Sequence, residues 1–336
     1  MITPYPITCV PGSKPKIIFS VLDAIPISIA KKYLRQAFPV LKVVLWCALM
    51  IVLWGKIRDN FSAQEIYLHI VRIPALGFWG MLLLLMMLLN WGLEAAKWKL
   101  IASSVKNISL WEAFKGVWSA LAFSLVGPMG LGHHMGRILS LNSTVRFRLI
   151  LPIFVGQAAQ MFWTTCFGLW GFGFYWQRGL VTSFSHSGYL VPVLTVLILV
   201  VVFLFRKYSP REKWRRQARF LFNSFSHHDF LRIWLLALGR YLVFCLQFLL
   251  IFKLLGIELP ILEILRGIAF MFLAKSVIPA VHLLGDLGIR EFALWSYFSL
   301  FPVDISLIIA GGLMLWVVNV LIPAFWGSFF IFKWSQ

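Results

Sequence analysis

Long apolar runs separated by short charged segments dominate this sequence and restrict the folds open to it. Crossing the hydrocarbon core of a bilayer takes about 20 helical residues. Six runs of that order occur, several with Trp or Tyr at an end, and they lie near residues 38–55, 73–91, 149–175, 189–205, 231–254 and 304–332. The chain is 60% hydrophobic and 13% charged, whereas a soluble domain is about 25% charged. We therefore predict an all-α polytopic membrane protein with about six transmembrane helices, the last tilted or broken near Pro323.

The distribution of basic residues predicts the orientation in the membrane. Residues 206–230 form a basic connector whose first 14 positions hold seven Lys or Arg residues and one acidic residue. Since cytoplasmic loops are enriched in Lys and Arg, we expect this connector and the N-terminal segment 1–37 in the cytoplasm. The connector 176–188, with Arg178 as its only fixed charge, is expected outside. This topology fits the plasma membrane of a bacterium.

The net charge of +19 does not indicate nucleic acid, because the basic residues are scattered between apolar runs. Anionic lipid headgroups are the partners that such flanking charges favour. The four cysteines are far apart and form no metal or redox pair. We predict no removable signal peptide and no cofactor.

Two further apolar segments, 109–148 and 260–301, are interrupted by Pro and Gly, and they resemble each other. They align at a constant offset of 151 residues, which matches Glu112 with Glu263, Lys115 with Arg266, Gly116 with Gly267 and Pro128 with Pro279. Further on, an offset of 156 matches Gly156, Trp170 and Gly171 with Gly312, Trp326 and Gly327. We interpret the pattern as a duplication, with one repeat in residues 38–175 and the other in 189–334.

The predicted topology makes the two repeats inverted. Two spans precede the first interrupted segment and five precede the second, so the two segments enter the membrane from opposite sides. If each is a re-entrant helical hairpin, three spans fall on each side of a pseudo-two-fold axis in the membrane plane, as in many transporters. Because irregular backbone survives at bilayer depth only inside protein or beside a water-filled cavity, both hairpin tips should meet in the interior.

The hairpin tips carry the candidate binding residues. Their glycines allow positive φ and close backbone approach, and they are Gly130, Gly132 and Gly136 in one tip and Gly285 and Gly288 in the other. Arg137 and Arg290 follow the breaks, where each is expected to open a returning half-helix. Guanidinium groups beside helix N-terminal N–H groups favour anions. A phospholipid or polyprenyl phosphate headgroup would suit such a site.

Internal ion pairing is an alternative for both arginines and does not exclude substrate contact. The candidate partners are Glu291, Asp286 and Glu112 for Arg290, and Glu263 and Glu94 for Arg137. Arg240 either lines the cavity or marks a cytoplasmic helix end. Glu94 and Lys97 are interpreted as a surface pair at i,i+3.

The tip histidines His133, His134 and His282 have no spacing typical of a metal site, even together with Asp286. We therefore predict no metal, although their titration would permit proton coupling. Three amides are expected to form hydrogen bonds between helices, namely Gln157, Gln160 and Asn319.

Three local patterns resemble the flippase-like membrane region of the lysylphosphatidylglycerol synthase family. They are NWGLEAAKW at 90–98, the Gly-rich tip that ends in Gly136-Arg137, and Pro279 through Gly288 to Arg290 and Glu291. The resemblance covers most of residues 38–332. Asp286 stands where the family usually has glycine, and the pair His133-His134 is unusual. The resemblance implies movement of lipid or lipid-linked headgroups between leaflets without the aminoacyl transfer of a synthase domain.

The favoured prediction is a flippase-like transporter for an anionic lipid or lipid-linked headgroup, and not an enzyme. Two alternatives remain: a non-catalytic accessory subunit of a lipid-modifying glycosyl- or aminoacyltransferase, and a secondary transporter of a small anion. The expected partners are the membrane and its lipids, with a lipid-modifying enzyme or a second copy of the chain also compatible. The substrate-binding candidates are Arg137, Arg290, Glu291, Asp286, Gly130, Gly132, Gly136, Gly285, Gly288, His133, His134, Glu112, Glu263 and Arg240.

Overall fold

All regular structure in the described residues is helical. A computed structural model describes residues 67–126 apart from 69, then 136–138, 146–180, 225–278 and 283–332. The helices are α1 (Leu76–Ser103), α2 (Leu110–Val126), α3 (Arg146–Tyr175), α4 (His227–Leu254), α5 (Ile261–Val277), α6 (Leu283–Phe298), α7 (Ile305–Trp316) and α8 (Ile322–Phe332). One π-helical turn, Trp176–Leu180, follows α3, and a second, Val317–Leu321, joins α7 to α8. The predicted helical class is confirmed for this part of the chain.

Three of the helices in the described part are long and apolar enough to span a membrane. They are α1, α4 and the continuous helix Ile305–Ile331 that α7 and α8 form, and they cover three of the predicted spans. Helix α3 covers a fourth with 30 residues but is not among these three, and the predicted spans 38–55 and 189–205 lie outside the described residues. Large apolar side chains such as Phe78 and Ile261 are 63% and 65% exposed, as expected for a surface that faces lipid. The chain is a helical membrane protein.

The span α7–α8 widens at Pro323 but does not break there. Proline has no N–H to donate to the carbonyl four residues earlier, which here belongs to Asn319. The π turn Val317–Leu321, just before α8, accommodates the missing backbone hydrogen bond. The freed Asn319 carbonyl accepts a hydrogen bond from Trp91 Nε1 of α1 at 3.0 Å. The missing backbone bond is thus replaced by a contact between two spans.

Equal lengths and spacings relate the first helices of the chain to the later ones. Helices α1 and α4 have 28 residues each and begin 151 positions apart, at 76 and 227. Helices α2 and α5 have 17 residues each and also begin 151 positions apart, at 110 and 261. The packing is reciprocal: α2 lies along α8, α5 lies along α3, and α1 packs on α4. Each short helix therefore packs mainly on a helix from the other part of the chain.

Two glycines matched in the sequence comparison make these crossings close. A Cβ added at Gly171 of α3 would collide with the Arg266 carbonyl of α5, and one added at Gly327 of α8 would collide with the Trp118 carbonyl of α2. Small residues let membrane helices approach backbone to backbone. The two crossings therefore rest on equivalent contacts.

Helix α6 begins earlier than predicted. It starts at Leu283, so Gly285, Gly288 and Arg290 lie inside the helix, with Arg290 two turns from its start. Among the described glycines, positive φ occurs at Gly256, with φ of 74° between α4 and α5. The assignment of Gly285 and Gly288 to a broken tip was wrong, because glycine is tolerated in membrane helices where neighbours pack closely.

Candidate functional site: a charged cavity between the helices

A cavity of about 370 Å³ lies between the helices, and every helix from α1 to α7 contributes to its wall. Polar side chains such as Ser124, Gln157 and Gln160 share this wall with aromatic rings of α4 and α5. Six charged residues line the cavity, namely Glu94, Lys97, Arg240, Lys275, Asp286 and Arg290. A largely apolar cavity with a few charged and polar groups, and of this volume, falls in the lower range of small-molecule sites.

Glu94 of α1 accepts contacts from three cations at once. Its Oε1 lies 2.7 Å from Arg137 Nη2, and its Oε2 lies 2.7 Å from both Lys97 Nζ and Arg240 Nη1. The side chains of Glu94 and Arg137 are each 2% exposed. We call Glu94, Lys97, Arg137 and Arg240 the Glu94 cluster. It joins α1, α4 and the segment 136–138.

The prediction that Glu94 and Lys97 form a surface pair is wrong. Both side chains are buried, at 2% and 4% exposure. Their i,i+3 spacing is the same on any face of a helix, and here the face points inward because α4 brings Arg240 to the same carboxylate. Lys97, which the sequence analysis did not include among the binding candidates, belongs to the site.

A network of amides and rings positions the Glu94 cluster. Arg240 Nε donates to Asn90 Oδ1 at 3.1 Å, and Asn90 Nδ2 donates to Asn319 Oδ1 at 3.2 Å. The Arg240 guanidinium lies 4.7 Å from the centre of the Trp91 ring, a cation–π distance. Asn319 thus forms an interhelical hydrogen bond, as predicted. Arg240 lines the cavity, which was one of its two predicted positions.

Lys275 and Asp286 form a second charged pair in the cavity. Lys275 Nζ of α5 lies 3.0 Å from Asp286 Oδ2 of α6, so the carboxylate predicted as a partner for Arg290 is bound to a lysine instead. The sequence analysis missed Lys275. An ionisable residue within an apolar helix is itself a signal of function, and that signal was available.

Arg290 is buried, and no carboxylate of the described residues pairs with it. It is 6% exposed, and its Nη2 donates to the Gly312 carbonyl of α7 at 3.3 Å. Its guanidinium also lies 5.9 Å from the Phe248 ring centre. Among the described residues, no Asp or Glu oxygen lies within 4.0 Å of it, in contrast to the other lining cations. The predicted pairing of Arg290 with Glu291, Asp286 or Glu112 is therefore not found.

The Glu291 carboxyl lies against α7. It is 2% exposed, and neither carboxyl oxygen has a hydrogen-bond partner among the described residues. A Cβ added at Gly312 would lie 2.7 Å from Glu291 Oε2. Gly312 therefore makes room for the Glu291 carboxyl while its carbonyl binds Arg290.

The other acidic candidates lie outside the cavity. Glu112 is exposed at the start of α2, and its carboxylate accepts a hydrogen bond from the Ser109 N–H at 2.7 Å. No arginine of the described residues forms an ion pair with it. Glu263 pairs with Arg266 at 2.8 Å, and Tyr297 donates to it at 3.3 Å. The predicted pairing of Glu263 with Arg137 was wrong, because Arg266, one turn further along α5, forms an ion pair with the Glu263 carboxylate.

The tip residues are described only in part. Gly136 is close enough to α2 that an added Cβ would lie 2.6 Å from the Ala120 nitrogen, which fits the predicted close backbone approach. Gly130, Gly132, His133, His134 and His282 lie outside the described residues. Within the described part, no three His, Cys, Asp or Glu side chains converge as they would around a metal ion.

Comparison with known proteins identifies the family. Searches of curated proteins and of solved structures returned no match. A family model, described as the lysylphosphatidylglycerol synthase TM region, matches residues 40–327. This range includes the Glu94 cluster, Arg290 and all helices up to the middle of α8. The chain belongs to the lysylphosphatidylglycerol synthase TM region family.

Proposed function

We propose that this protein is a flippase-like transporter that moves an anionic lipid or lipid-linked headgroup between the two leaflets. The headgroup enters the polar cavity while its tails stay in the lipid. Residues in the cavity wall bind its phosphate, and no covalent chemistry is required of them.

The observation that carries this proposal is Arg290, a buried guanidinium that lines the cavity without a carboxylate. A lone charge at bilayer depth costs about 2.5–3.5 kcal/mol on insertion scales. A phosphate oxygen pair would offset this cost through bidentate hydrogen bonds. An anion is thus the ligand that the site favours.

The arrangement of the helices supports an inverted repeat around that cavity. The offset of 151 relates α1 to α4 and α2 to α5, and the close crossings at Gly171 and Gly327 are equivalent. In transporters built from inverted repeats, the substrate site lies near the midplane where the repeats meet. We propose the same plan here, with three spans and one re-entrant hairpin per repeat and access alternating as the hairpins rock.

Lipid movement in vesicles tests the proposal. The purified protein is reconstituted into liposomes that contain a fluorescent anionic phospholipid, and a membrane-impermeant quencher reports the outer-leaflet fraction over time. We expect wild type to speed exchange, and Arg290→Gln to slow it by about tenfold or more, since a hydrogen bond to a charged group contributes about 1.5–3 kcal/mol.

The matched control is Arg232→Gln, which removes the same charge from an exposed position of α4. It should move lipid at the wild-type rate. If wild type moved no lipid, or if Arg290→Gln moved it as fast as wild type, the proposed function would be wrong.

A further inference from the structure

The described cavity contains more positive than negative charge. Lys275 is neutralised by Asp286 at 3.0 Å. Two of the lining cations, Lys97 and Arg240, share the Glu94 carboxylate, which leaves a formal excess of one. Arg290 adds one more.

A further buried carboxylate, Glu291, does not cancel this excess. Glu291 lies next to Arg290 in sequence, but its carboxyl points at Gly312 of α7 and does not line the cavity. Over the lining residues that the structure describes, the formal excess is two positive charges. Outside the lining, Arg137 adds one positive charge and Glu291, if ionised, removes one. Two positive charges are therefore left for a ligand to balance in the described part of the site.

From this excess we infer that the headgroup recognised here carries about two or more negative charges, as a phosphomonoester or diphosphate lipid does. The inference rests on the proposed function and narrows its substrate class. Recognition involves Arg290 on α6 with Lys97 on α1 and Arg240 on α4, so that one headgroup contacts cations from different walls. A phosphomonoester carries about −1.5 to −2 charge at pH 7 and three acceptor oxygens, and its charge matches the excess of the cavity.

Other common headgroups fit the charge balance less well. A phosphodiester such as phosphatidylglycerol brings one negative charge, and phosphatidylethanolamine brings an ammonium group with its phosphate. A lysyl ester of phosphatidylglycerol brings two ammonium groups for one phosphate, which adds positive charge to a positive cavity. Like charges brought together in a buried site disfavour binding, so this last headgroup should bind worst.

The lining also offers neutral partners for the extra oxygens of a dianion. Ser124, Thr164 and Ser276 carry hydroxyls, and Gln157 and Gln160 carry amides. The amide NH2 groups of Gln157 and Gln160 are donors, whereas the Ser124 and Ser276 hydroxyls already donate to the Ala120 and Phe272 carbonyls. These groups contribute hydrogen bonds without adding charge.

Competition binding on the purified full-length protein tests the inference. At 0.15 M salt and pH 8, the dissociation constants of phosphatidic acid, phosphatidylglycerol, phosphatidylethanolamine and lysylphosphatidylglycerol are measured in detergent by native mass spectrometry. We expect phosphatidic acid to bind at least tenfold tighter than phosphatidylglycerol, and the lysyl ester to bind worst. Arg290→Gln should reduce the preference for phosphatidic acid by about tenfold, and Arg232→Gln should leave it unchanged.

The comparison of the four lipids is made on wild type and does not depend on the stability of any variant. If Arg290→Gln proves unstable, Arg290→Lys is measured in its place, since it keeps the positive charge but loses the bidentate geometry. Equal binding of phosphatidic acid and phosphatidylglycerol would overturn the inference. Inorganic pyrophosphate is the second probe: if it bound as tightly as phosphatidic acid, the ligand would be a soluble polyanion and the lipid assignment would be wrong. Movement of phosphatidylglycerol and phosphatidic acid at equal rates in liposomes would overturn the charge inference alone, whereas movement of neither would overturn the proposed function.

Discussion

At the scale of single residues, Glu94 is the charge that holds the site together. It is the carboxylate shared by Lys97, Arg137 and Arg240. Removing one partner from a buried ion pair leaves uncompensated charge, and this destabilises a protein far more than loss of an exposed pair. Here a single neutralisation would leave three cations together.

Glu94→Gln should therefore lower the free energy of unfolding by about 3–5 kcal/mol. The measurement is reversible unfolding of the purified protein in detergent, followed by tryptophan fluorescence. Glu258→Gln is the control, because Glu258 is exposed in the α4–α5 connection, and exposed substitutions usually change stability by less than about 0.5 kcal/mol. If Glu94→Gln were as stable as this control, Glu94 would not be the charge that holds the cluster together.

The sequence identified the arginines of this site and one of their contacts, because Glu94 was one of the two candidate partners predicted for Arg137 and lies 2.7 Å from it. Arg137, Arg240 and Arg290 stand out because they interrupt apolar sequence. The burial of the Glu94–Lys97 pair was not predicted, since an i,i+3 spacing occurs on any face of a helix and burial depends on which helices pack around that face. Pairing partners such as the Gly312 carbonyl depend on tertiary packing and leave no pattern in sequence.

At the scale of helices, two glycine crossings set the distance between neighbours. Gly171 and Gly327 face backbone atoms of α5 and α2. A backbone carbonyl cannot rotate out of the way as a side chain can. The helices themselves must separate if a methyl group is added.

Gly171→Ala and Gly327→Ala should each lower the free energy of unfolding by about 1–3 kcal/mol, the usual effect of overpacking. The control is Gly173→Ala on the same helix as Gly171, where an added Cβ would meet nothing within 4 Å. Alanine is a better helix former by up to about 1 kcal/mol, so this control should be neutral or stabilising. Equal effects of Gly171→Ala and Gly173→Ala in thermal unfolding would contradict the crossing described here.

The spacing between equivalent helices was more predictable from the sequence than the residue at which α6 begins. The offset of 151 found from Glu112, Gly116 and Pro128 also relates the ends of α1 and α4, which were not used to find it. The start of α6 was missed because Gly285 and Gly288 suggested a turn. Local sequence favours a break at such glycines, and packing in the interior overrides that preference.

At the scale of the whole molecule, the inverted arrangement remains a prediction that topology can test. Asn107 and Glu258 are both exposed, lie 151 positions apart and precede α2 and α5. If the repeats are inverted, these two positions lie on opposite sides of the membrane.

Single cysteines at these positions, in a chain whose own four cysteines are replaced, should label differently with an impermeant maleimide. Glu258→Cys should react in intact cells, and Asn107→Cys only after the membrane is opened. The unsubstituted cysteine-free chain controls for background labelling. Both positions reacting from the same side would leave the repeats parallel and remove the basis for alternating access.

The wide turn before Pro323 limits which parts of this protein can move. The Asn319 carbonyl accepts a hydrogen bond from the Trp91 indole N–H, and the Asn319 side chain accepts one from the Asn90 amide. These two hydrogen bonds connect α1 to the span α7–α8 at the same depth. Sliding one past the other would strand these polar groups in hydrocarbon at several kcal/mol each. The two spans therefore form a fixed frame, and any opening and closing belongs to the helices that are not tied to it.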